Sequence, residues 1–139
     1  MTVQPTTRTL AFTVRPDAVQ VSRAMAAVRL GIGAIGLVAP GRVAWRLFLQ
    51  GRQIDETTAL VLRAAATRDL ALGLGAVAAS ARGPGPLRGW VLAAALADCC
   101  DALAMATSKS ASPAVRASAA LVSALSASAG LAVAQQLTR

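Results

Sequence analysis

The sequence predicts an all-α protein, a four-helix transmembrane bundle with a short interfacial helix after the first span. Three observations carry that prediction. Apolar residues make up 55% of the 139-residue chain and charged residues 14%, against about 45–50% and 25% in soluble domains, and the mean hydropathy is +0.57. The apolar residues are small: Ala, Leu, Val and Gly dominate, aromatics are 3%, and Tyr and His are absent. Such a composition suits transmembrane helices, which associate by close backbone approach. Four long apolar stretches are separated by Pro- and Gly-bearing breaks. The competing reading is a soluble Ala-rich helical bundle.

Residues 1–16 are polar, Thr-rich and without periodicity, which predicts a surface-lying tail. They do not form a cleavable signal, since the apolar run starts late and no small-residue cleavage site follows it. Residues 17–139 form one four-helix membrane domain. Asp17 is placed to cap the first span, about 18–39, whose Gly31, Gly33, Ala34 and Gly36 give a small-residue strip and which ends at Pro40-Gly41. Over residues 42–50, Arg42, Arg46 and Gln50 share a narrow arc, and Trp45, Leu47 and Phe48 lie on the broad apolar remainder. That segment is too short to span a bilayer and reads as an interfacial helix or as an amphipathic connector packed on protein.

Asp55 and Glu56 complement the dipole at the start of the second span, about 58–81. Gly83-Pro84-Gly85-Pro86 forms a turn before the third span, about 87–107, where Arg88 and Trp90 act as interface anchors. Ser108–Ser112 with Pro113 is the next loop. The last span, about 114–137, has no charged residue from Ala117 to Thr138, and its Ser118, Ser123, Ser126, Ser128 and Gly130 suit helix packing.

The formal charge of +8 and pI of about 11.7 do not indicate nucleic acid. The basic residues stand singly and flank apolar runs, as snorkelling side chains do, rather than clustering with stacking aromatics. With both termini cytoplasmic, that side carries Arg8, Arg15, Arg23, Arg82, Arg88 and Arg139, against Arg42, Arg46, Arg52, Lys109 and Arg116 opposite. The excess of basic residues inside orients a multi-pass protein of the cell (inner) membrane with its termini in the cytoplasm. The adjacent Cys99 and Cys100 point about 100° apart on a helix and are poorly placed to bridge. They read as small buried core residues or as a vicinal redox pair. Without His or a CxxC pair there is no zinc-type constellation, and no cofactor or metal is expected.

The chemistry sits in the middle spans. Arg68 and Asp69 lie centrally in one, Asp98 and Asp101 in the next, and a central charge costs roughly 2.5–3.5 kcal/mol unless it faces a bundle interior and pairs. In an antiparallel hairpin turning near Gly83–Gly85, residues whose numbers sum to about 169 lie at equal depth at ~1.5 Å per residue. Arg68 and Asp101 meet that condition, and Asp69 and Asp98 miss it by two positions. Arg68 is therefore expected to fork onto Asp101 or Asp98. Three carboxylates then face one central Arg, with Arg63 a second partner over a turn nearer the surface.

The stretches RLGIGAIGLVAPGRVAWRLF (Arg29–Phe48), RAAATRDLALGLG (Arg63–Gly75) and WVLAAALADCCDALAM (Trp90–Met105) resemble a family of small four-helix membrane proteins related to the DoxX-like proteins. The resemblance covers about residues 22–108. Its marks are a Gly-rich first helix ending at Pro40, the Arg-Asp-x-x-x-Gly stretch of Arg68, Asp69 and Gly73, and a third helix bearing Asp98 and Asp101. The chain departs from it in having Ala65–Thr67 where a Gly precedes the Arg-Asp pair. The resemblance implies the fold and no established activity.

Three roles for Arg63, Arg68, Asp69, Asp98 and Asp101 stay open. The cluster fixes helix pairing in a structural or accessory protein, packed into a larger membrane complex or homo-oligomer. Alternatively it binds a small amphiphilic ligand, with the apolar part along Leu72, Val91 and Met105 and the polar part toward Asp98 and Asp69. The third role is a membrane-embedded enzyme (an isomerase, a cyclase or a redox-linked one) with Asp98 or Asp101 as general acid/base. The lipid bilayer is the partner common to all three.

Overall fold

The computed structural model describes residues 16–44, 54–109 and 111–138. The described residues are all-helical and contain five helices: α1 (Pro16–Val38), α2 (Pro40–Ala44), α3 (Glu56–Ser80), α4 (Pro84–Thr107) and α5 (Pro113–Gln136). Residues 1–15 of the N-terminal tail, and the interfacial helix beyond Ala44, lie outside the described residues, and Pro16 belongs to α1.

Proline and the capping residues set the ends. A proline in the first turn gives up an N–H that has no intrahelical partner there, so α1, α4 and α5 open on Pro16, Pro84 and Pro113. The first helix therefore starts before Asp17, and the third span starts three residues earlier than expected, its Pro-Gly-Pro run forming the first turn. Gly83, at φ 112°, makes the reversal before it, in the left-handed region that favours glycine. Pro40 stops α1 and begins α2: Ala39 N–H still donates to Ile35 O at 2.8 Å, and Arg42 N–H turns to Ala39 O at 3.0 Å.

Asp55 caps α3, its Oδ1 accepting from the Thr58 amide at 2.7 Å. Hydrogen bonds from the Thr58 side chain and amide hold the Asp55 carboxyl below its ordinary value. A depressed carboxyl stabilises the fold above the unfolded-state value and loses that contribution as pH falls through the folded one. The protection of the Thr58 amide, its exchange rate relative to the intrinsic rate at the same pH, should accordingly be greatest at neutral pH and fall on acidification below the ordinary carboxylate range. Asp55→Asn keeps a capping oxygen and should flatten that dependence. A flat profile in the unaltered chain would remove this role.

The four long helices form an up-down-up-down ring. Helix α1 runs antiparallel along α3, with Gly33 and Gly36 against Ala66 and Gly73 against Ala26 and Leu30. Helix α4 runs antiparallel along α5, where Gly130 sits on Ala95. The α3–α4 seam is lighter than these two. Of the expected strip in α1, Gly33 and Gly36 are buried, whereas Gly31 and Ala34 face outward.

The distribution of side chains is inverted relative to a soluble bundle. Ala18, Ala26, Ala76, Ala79, Ala95 and Ala134 fill the interior, and Leu87 and Ser22 are the largest fully buried side chains. The large aliphatics point outward, as in Val38 at 83% exposed, Leu103 at 66% and Leu96 at 65%. Among the described residues three helices are long and apolar enough to cross a membrane: Ala18–Val38, Pro84–Thr107 and Pro113–Gln136. Helix α3 is long enough, but every 18-residue stretch of it contains Arg63, Arg68 and Asp69.

Candidate functional site

Each long helix sends a polar group to the middle of the bundle. Arg29 of α1 is the hub: its Nη1 donates to Asp69 Oδ1 of α3 at 3.0 Å, its Nη2 to Asp98 Oδ2 of α4 and to the Ala94 carbonyl at 3.4 Å. Ser126 Oγ of α5 donates to the same Asp98 oxygen at 2.6 Å. Asp98 is buried, and the Arg29 side chain is only 12% exposed.

A second guanidinium flanks this hub. Arg68 forks onto Asp101 across the α3–α4 seam, Nη1 to Oδ1 at 2.8 Å and Nη2 to Oδ2 at 2.7 Å. Its Nη2 also reaches Asp69 Oδ1 at 3.5 Å, so Asp69 joins the two arginines into one network. Its Nε has no acceptor among the described residues. The Arg68–Asp101 pair is more open than the hub, at 36% and 39% side-chain exposure.

The equal-depth register thus brings Arg68 to Asp101, and Asp98 turns to Arg29 instead. Arg63 does not join: its residue is exposed, and among the described residues it makes no ion pair. Sequence reasoning placed it a turn toward the surface, and that turn is enough to keep it out. The residues it missed are Arg29 and Ser126. With Arg29 included, three carboxylates meet two guanidiniums rather than one. Cys99 and Cys100, read as core residues, are both exposed and free, because successive residues step about 100° around a helix and Asp98 takes the inward position.

A small cleft adjoins the hub. Met25, Leu72, Trp90 and Val91 are among its walls, together with Arg29 and Asp98. Leu72, Val91 and Asp98 were expected beside a ligand; Asp69 and Met105 are not among the walls. Chemically the arrangement offers an apolar slot bounded by one ion pair. Asp98 and Asp101, the two candidate acids, are both engaged by guanidinium groups.

Comparisons of the chain with protein-family models, with curated proteins and with solved structures find no match.

Proposed function

We propose that this chain is a small multi-pass membrane protein in which all four long helices span the bilayer and the Arg–Asp network locks their packing. The observation that carries this reading is the inverted distribution, with large aliphatics outward and alanines, Ser22 and Asp98 inward. A soluble bundle would pay for that exposed apolar surface, whereas lipid tails solvate it. Helix α3 qualifies as a span because Asp69 pairs with Arg29 and with Arg68, which offsets the cost of placing these charges mid-membrane, and Arg63 has an aliphatic stem long enough to snorkel. Alanine-rich helices slide past one another at little cost. A network joining four helices specifies one register, a use for which buried polar groups are well suited. The accessory role follows from that reading, and the inner membrane with cytoplasmic termini from the basic-residue balance. Kinship with DoxX-like proteins is proposed on the same footing: the residues marking the resemblance, Arg68, Asp69, Asp98 and Asp101, all belong to the network.

The test asks whether α3 crosses. With Cys99 and Cys100 replaced by Ala, single cysteines at Thr57 and at Arg82 flank this helix. In sealed cells an impermeant maleimide should label one site directly and the other only after permeabilisation. Labelling of both from the same side would contradict the four-span reading.

A second reading, binding of a small amphiphile, is favoured by the cleft and by the surplus carboxylate. The slot is mostly apolar but has room for little more than a water-sized group, so it would take only the end of an apolar chain, and the network's net negative charge suits a cationic head. In a Trp45→Phe background, Trp90 is the only tryptophan, and its emission should shift on titration with dodecylamine in nanodiscs. Asp98→Asn should abolish the shift. No shift with the Asp98 protein would remove this reading.

A further inference from the structure

We infer that the α3–α4 face is the interface for a second copy of this chain, packed so that the Arg68–Asp101 pairs of the two copies face each other across a two-fold axis. The inference rests on the four-span reading. In that reading Arg68 and Asp101 lie near mid-membrane, and both are more than a third exposed on the outside of the bundle. An ion pair bared to hydrocarbon is costly, and intramembrane charges are found facing protein or a water-filled cavity. Among the described residues the pair is only partly covered, with more than a third of each side chain left open.

The charge pattern identifies the occupant. A two-fold axis places the same patch against itself, so a patch is self-complementary when it carries both signs side by side. One guanidinium beside one carboxylate satisfies that condition: rotated onto its copy, Arg68 meets the partner copy's carboxylate, and Asp101 the partner copy's guanidinium. A single-sign patch would repel its copy. Close approach is also open to the helices. Around the pair, Ala64 and Ala71 of α3 and Cys100 and Ala104 of α4 are exposed and small, and small residues at a membrane interface allow backbones to come near. The outward aliphatics Leu96 and Leu103 lie farther round α4, where lipid suffices.

Cys100 precedes Asp101 and so provides a native reporter for this face, while Cys99 lies a further 100° round the helix. In native membranes, copper-phenanthroline oxidation of the Cys99→Ala protein should give a disulfide-linked dimer, and oxidation of the Cys100→Ala protein should give markedly less. Fluorescently tagged chains diluted in lipid should bleach in two steps. Because Arg68→Ala also disturbs the interior, the discriminating variants are Ala71→Phe and Ala104→Phe, which thicken the outer surface and leave the network in place. Both should cut cross-linking severalfold and restore single-step bleaching, with detergent melting unchanged. Single-step bleaching of the unaltered chain would overturn the inference. So would a dimer indifferent to both Phe variants, or a Cys100 cross-link only to a different protein. Failure of the four-span reading would appear in the labelling of α3, whereas failure of this inference leaves a spanning monomer.

Discussion

Arg29→Ala is expected to be the most damaging single substitution in this chain, more damaging than Arg68→Ala. Removing Arg29 strips Asp98 of its only cation among the described residues and leaves Asp69 with the long 3.5 Å contact to Arg68. An orphaned buried charge typically costs about 3–5 kcal/mol. Arg68→Ala removes a pair that is itself over a third exposed, and Arg29 still holds Asp69. Its effect should therefore be smaller, since a partly exposed pair contributes less. Arg29→Lys keeps the charge but replaces a rigid two-armed fork by a single ammonium, so it should restore stability only in part. Melting in a single detergent ranks the three variants. Equal losses for Arg29→Ala and Arg68→Ala would show that the hub is misassigned.

The second large effect is expected in the α1–α3 seam. A Cβ added at Gly33 would lie 2.8 Å from the Ala66 carbonyl oxygen and 2.8 Å from Leu70 Cγ, whereas one added at Gly31 meets nothing within 4 Å. The carbonyl belongs to the backbone of α3, so the helices themselves must part. Overpacking of this kind typically costs about 1–3 kcal/mol, offset in small part by the better helix propensity of Ala. Gly33→Ala should lower the melting temperature, and Gly31→Ala, two positions away in the same helix, should leave it unchanged or raise it slightly. The pair is its own control: both add one methyl to the same helix, and only one touches a neighbour.

Much of this was legible in the residues. The all-helical class, the approximate bounds of the four long helices and the Arg68–Asp101 register follow from apolar run length, Pro and Gly placement and the rise of the helix. The termini differ where proline opens a helix rather than ending one, since at a helix's first turn it is a favoured residue. Arg29 does not stand out in the sequence because an arginine beside an apolar run commonly snorkels. Depth alone would have found it. The expected spans, 18–39, 58–81, 87–107 and 114–137, have their midpoints within a residue of Arg29, Asp69, Asp98 and Ser126. What no periodicity supplied was the partner choice. Asp98 and Asp101 are less than one helical turn apart, and which faces Arg29 depends on how α1 crosses behind α3 and α4, a matter of three-helix packing rather than of any one helix. The exposure of Cys99 and Cys100 has the same origin, since fixing Asp98 inward fixes them outward.

The central claim is that Arg29 and Asp98 are directly coupled at the hub of a four-helix lock. A double-mutant cycle of Arg29→Met and Asp98→Leu, read by reversible unfolding in bicelles, isolates that coupling. Arg29→Met leaves Asp98 uncompensated inside the bundle, and Asp98→Leu removes one of the two carboxylates on Arg29, which keeps Asp69, whereas the double change leaves an apolar pair that can pack. The account predicts that the double variant is more stable than the sum of the single losses allows, with a coupling of at least about 1–2 kcal/mol. Strictly additive losses would contradict it.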